Sequence, residues 1–72
     1  MTFELGQILR VLKPMPEMLT KKWITKGDIV RVIGIYPHHI MVEKLKPGKD
    51  GWRMRQCYCL NGIDKDLEVM NV

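Results

Sequence analysis

Serine is absent from this 72-residue chain, which removes serine nucleophiles and any triad built on one. No run approaches the roughly 18 apolar residues that a membrane-spanning helix needs. Aromatic side chains are scarce, amounting to Phe3, Trp23, Tyr36, Trp52 and Tyr58. No glycine-rich phosphate loop is expected, because Gly48-Lys49-Asp50-Gly51 reads as turn chemistry. The opening residues MTFELGQILRVLK have no basic stretch ahead of an apolar one and no small-residue cleavage site, so a signal peptide is not expected. Cysteine is limited to Cys57 and Cys59, one residue apart, and a bridge between them would close a strained ring. Reduced thiols in a cytoplasmic setting are the expectation.

The remaining composition is that of a globular protein, with 46% hydrophobic and 28% charged residues. Residues 1–72 are read as one domain. A chain this short buries roughly 60% of its unfolded surface and has little core to spare. Twelve Lys and Arg against eight Asp and Glu give a formal charge of +4. Solubility alone accounts for that excess, and it also favours an acidic partner.

Five strands are expected. The first, over residues 5–13, stops at Pro14 and turns Ile8 with Val11, or Leu9, inward according to register. The second, over 29–36, is β-branched almost throughout, and Gly34 suggests a bulge that switches faces. A third strand spans 39–46 and a fourth 52–60, joined by the turn Pro47-Gly48-Lys49-Asp50-Gly51. After Asn61-Gly62, residues 63–66 suit one tight helical turn, and 67–70 form a short last strand. Between the first two strands, Pro16 at a helix start, acidic Glu17 and the spacing of Met15, Met18, Leu19 and Trp23 predict a short helix over 16–23. Short strands of this kind are expected to close into a small barrel, since closure removes sheet edges.

The stretch Lys26-Gly27-Asp28-Ile29-Val30-Arg31-Val32 resembles the strand entry of Src-homology-3-like (SH3-like) barrels. The order of elements is similar too: strand, long loop, three hairpin-linked strands, a helical turn, a short last strand. This implies a mainly β, five-stranded SH3-like small barrel with one short helix between the first and second strands. The whole chain, with its length and that helix, also resembles the YorP family of small prophage-encoded proteins. That resemblance implies a bacterial cytoplasm and brings no catalytic residues. Peptide-binding Src-homology domains carry an acidic, aromatic-rich first loop. Here Glu17-Met18-Leu19-Thr20-Lys21-Lys22-Trp23 has one acid, two lysines and one aromatic, so recognition of proline-rich peptides is not expected.

Two surfaces could bind a partner. Met15, Met18, Leu19 and Trp23 exceed what a small barrel can cover, so part of this stripe is expected to meet an unidentified host or phage protein. Trp23 folding over the open end of the barrel is the plain alternative. Around the second hairpin, Lys44, Lys46, Lys49, Arg53 and Arg55 surround Trp52, a pattern that could track phosphates while the ring stacks on a base. The plain alternative there is that Trp52 covers the barrel mouth and the charges form a solvated hairpin tip.

A turn symmetric about Lys49 places His39 opposite Cys59, Met41 opposite Cys57 and Glu43 opposite Arg55. With His38, that gives the chain's one set of zinc-type ligands. The Cys-x-Cys spacing fits poorly, and His38 and His39 point to opposite faces, so no metal is expected. Glu43 with Arg55 reads as a surface ion pair of about 0–1 kcal/mol. A Cys57 nucleophile beside His39 lacks a third group to orient the imidazole. The expectation is a non-enzymatic binding module without cofactor, acting on protein first and on nucleic acid as the alternative.

Overall fold

The β-branched run after Lys26-Gly27-Asp28 forms the longest strand among the described residues, Ile29–Ile35. In chain order the strands are β1 (Ile8–Val11), β2 (Ile29–Ile35), β3 (His39–Lys44), β4 (Arg55–Cys59) and β5 (Leu67–Val69). One helical turn, α1 (Ile63–Asp66), precedes β5. These elements come from a computed structural model that describes residues 2–13 and 24–70. The helix expected over 16–23 lies outside the described residues, as do Met15, Met18, Leu19 and Trp23.

All pairings are antiparallel, and the strands lie in the order β4-β3-β2-β1-β5. The last strand therefore returns beside the first, and the sheet curls over its own inner face into a half-barrel. Side chains alternate across each strand. Leu9 and Val11, Val30 and Val32, Ile40 and Val42, Tyr58 and Leu67 all point inward, and Ile24 and Ile63 join the same core. This resolves the register of β1, since Leu9 and Val11 are fully buried while Ile8 is half-buried. The expected barrel is not closed by a ladder. Among the described residues β4 pairs only with β3 and β5 only with β1.

The bulge expected near Gly34 is present, as a register shift between Val32 and Gly34. It lets Gly34 face Met41 and turns Ile35 out to solvent. The entry to β2 is held by Asp28, whose Oδ2 accepts the Thr25 N–H at 2.8 Å and the Thr25 hydroxyl at 3.2 Å. Gly27 takes φ 93° there, a left-handed conformation that glycine adopts without strain. Most strands are shorter than their apolar runs, because turn hydrogen bonds claim the ends. β1 begins only after a turn in which the Gln7 N–H reaches Glu4 O at 3.1 Å.

Candidate nucleic-acid interface

The β3–β4 hairpin is tied by its own turn. Gly48 N–H donates to Trp52 O at 2.8 Å, Gly51 N–H to Gly48 O at 3.0 Å, and Trp52 N–H to Asp50 Oδ1 at 3.0 Å. Aspartate at such a position caps its own backbone two residues on, which explains why this sequence turns here. On this tip Trp52 is 64% exposed, contrary to the alternative in which it covers the barrel mouth. Lys46, Lys49 and Arg53 are exposed beside it. The Arg53 Nε–H reaches back to Leu45 O at 3.2 Å, so its guanidinium is steered along the tip.

The other two cations of the expected patch are engaged within the fold. Lys44 is half-buried with Nζ 3.3 Å from Asp28 Oδ2, which links β3 to the entry of β2. Burial alone would raise the Asp28 carboxyl. The Thr25 N–H and the hydrogen bond and charge of Lys44 outweigh that and hold it below its ordinary value. Arg55 Nε lies 3.1 Å from Glu43 Oε2, and Arg31 Nη2 from β2 lies 3.2 Å from Glu43 Oε1. Two guanidiniums thus grip one carboxylate across three adjacent strands. Glu43 is only 7% exposed, so the pairing is a half-buried row and not the isolated surface pair that the sequence suggested. Burial pushes the Glu43 carboxyl up, and the hydrogen bonds and charges of Arg55 and Arg31 bring it net below the usual range. Arg31 was missed at the sequence level, although its position in β2 signals it, because the ladder sets Arg31 opposite Glu43.

The register expected from the turn is the one observed: His39 opposes Cys59, Met41 opposes Cys57 and Glu43 opposes Arg55. Cys57 and Cys59 are free thiols, half-buried and exposed respectively. Among the described residues no three His, Cys, Asp or Glu side chains gather as a metal site. His39 instead stacks on Tyr36, ring centroids 4.7 Å apart and 20° from parallel. Deeper in, Tyr58 is fully buried with its hydroxyl unpartnered, and the Gln56 amide nitrogen is likewise unpartnered. Burial, with the charges of Asp66 and Asp28 adding to it, pushes the Tyr58 phenol up to about 12. Among the described residues no helix is long and apolar enough to cross a membrane.

Compared with protein-family models, with curated proteins and with solved structures, the chain matches none.

Proposed function

We propose that this chain is a non-enzymatic binding module whose contact surface is the β3–β4 hairpin tip, and that its partner is single-stranded nucleic acid. One observation carries the reading: an indole 64% exposed on a turn held rigid by its own hydrogen bonds. A ring held in water costs free energy unless something stacks on it, and every base offers a face for that. Lys46, Lys49 and Arg53 flank it with charge for phosphates. The scaffold is proposed to be SH3-like, a reading supported by the strand order, with the last strand beside the first and a helical turn before it. The YorP resemblance, with its prophage origin and bacterial cytoplasm, belongs to the same proposal. Protein contact through Met15, Met18, Leu19 and Trp23 rests on residues outside those described.

Fluorescence anisotropy of a labelled oligothymidylate tests the reading. Trp52→Ala is expected to weaken binding about tenfold or more, as removal of one stacked base would. Lys49→Glu with Arg53→Glu should weaken it further and flatten the salt dependence, by about 0.7 in log–log slope for each phosphate no longer neutralised. Unchanged affinity in these folded variants, or binding indifferent to salt, rules the interface out. Loss of capture in Met18→Ala and Leu19→Ala alone would move the binding surface to the loop and to a protein partner.

A further inference from the structure

Ile40, Val42 and Tyr58 point into the core, so the odd-numbered positions of β3 and β4 share the opposite, outer face of the sheet. Lys44 N–H donates to Met54 O at 2.8 Å and Leu60 N–H to His38 O at 2.9 Å. Those bonds make the outward positions the non-hydrogen-bonded pairs, whose side chains stand closest. In order along this face come Glu43 with Arg55, Met41 with Cys57, and His39 with Cys59. Tyr36 lies on the same face. Gly34 pairs with Met41, and a side chain beginning at Gly34 would start 2.8 Å from the Tyr36 ring. That ring is 44% exposed and already stacked on His39.

At the other end of the row, two guanidiniums lie over one carboxylate. The Glu43 side chain is 10% exposed, whereas those of Arg31 and Arg55 are 42% and 60% exposed. Solvent therefore meets the far sides of two fixed guanidiniums, and not the carboxylate that fixes them. Arg31 uses Nη2 on Glu43 and Arg55 uses Nε, and neither makes another hydrogen bond among the described residues. Their remaining donors suit the oxygens of a phosphate. Met54 packs against the core, so Arg53 and Arg55 project outward together and lead from the tip onto this face.

We propose that the single strand held at the tip continues over the outer face, with a phosphate on the Arg31–Arg55 pair and a base stacked on Tyr36 and His39. The inference rests on the tip reading and gives that site a path and a length. Glu43 and His39 are four residues apart on β3, roughly 13 Å, which is about two nucleotide steps of an extended strand. From Trp52 to Cys59, opposite His39, is roughly 23 Å. That spans about four nucleotides, the short end of what small single-strand-binding barrels cover. Between the guanidiniums and the stacked rings the floor is Met41 and Cys57, uncharged and half-buried. An apolar protein surface laid here would leave the guanidinium donors unpaired, whereas a phosphate satisfies them.

Anisotropy of labelled oligothymidylates about two to eight nucleotides long tests the path in the whole chain. The parent's affinity should climb up to about four or five nucleotides and then flatten. Tyr36→Leu should weaken the longest strand about tenfold and end the climb about two nucleotides sooner. Tyr36→Trp should bind as tightly as the parent or tighter. Arg31→Gln should lower the log–log salt slope by about 0.7, and Arg31→Lys, which keeps the charge, should preserve it. Circular dichroism checks that each variant is folded. Trp52→Ala combined with Tyr36→Leu should lose about the product of the single losses, since one strand touches both places. If Trp52→Ala weakens binding while Tyr36→Leu and Arg31→Gln bind every length like the parent, the tip stands and the path over the outer face is overturned. If no variant at either place alters binding, both readings fall together.

Discussion

The inner face of the half-barrel and the tip of its second hairpin are joined by the same two strands, yet they are made of opposite materials. Inside, Val30, Val32, Ile40 and Val42 are at most 1% exposed and interlock across β2 and β3. At the tip, Lys46, Lys49, Trp52 and Arg53 all stand in water, and shape comes from turn hydrogen bonds alone. One region contributes free energy of folding through burial, and the other holds a surface in place without adding to the core. Stability and binding should therefore respond to mutation almost independently.

The largest effect should come from the inner face. Val32→Asp is expected to unfold the domain, with a loss of about 4 kcal/mol or more, comparable to the whole stability of a chain this size. Circular dichroism showing a folded variant with a native melting curve would break the contrast at its stronger end. Gly34→Ala should cost about 1 kcal/mol, since a Cβ there would sit 2.8 Å from the Tyr36 ring. That is a fall of about 4–8 °C in the melting temperature. The backbone tolerates alanine at Gly34, so the whole cost is the displaced ring and its stack on His39.

Tyr58→Phe probes a polar atom set inside the apolar region. It should be as stable as the parent, or more so by up to about 1 kcal/mol, because the deleted hydroxyl had no partner. Alkali sharpens the test. The phenol is held at about 12 in the fold against 10.0 ordinarily. The stability tied to its neutral form is complete below pH 10.0 and is lost as pH rises towards about 12. The Phe variant should lack that part of the alkaline decline, read as chemical denaturation midpoints against pH. The smallest effect on stability belongs to the tip. Trp52→Ala should shift stability by no more than about 0.5 kcal/mol in chemical denaturation, while the same variant binds oligonucleotide about tenfold more weakly.

Backbone elements were largely legible in the sequence because they depend on neighbours along the chain. The β-branched run gave β2, Gly34 marked the bulge, Gly62 and the short segment after it gave α1, and the Gly-rich turn set the β3–β4 register to the residue. Strand ends were drawn too long because they are trimmed by hydrogen bonds between backbone groups, such as Gly48 to Trp52, that residue type does not reveal. Side-chain allegiance was harder to see. Whether Lys44 serves the tip or Asp28 depends on which loop passes it in space, 16 positions earlier in the chain. The sequence left open whether Trp52 covers the barrel mouth or stands out as a stacking ring, because residue type does not say on which side of a turn an indole falls; on the turn that Asp50 caps it is exposed.

The tyrosine over the bulge has a magnetic consequence. The point where a Gly34 side chain would begin lies 2.8–3.2 Å from Cε2, Oη and Cζ of Tyr36, so one of the two Gly34 α-protons is held against the aromatic ring. Circulating π-electrons shift a proton held this close to a ring, upfield over its face and downfield at its edge, and its mirror-related twin on the same carbon escapes most of that field. Gly34 should therefore show two widely split α-proton resonances. That splitting reads out whether the Tyr36–His39 stack is closed, at a single atom and without any label.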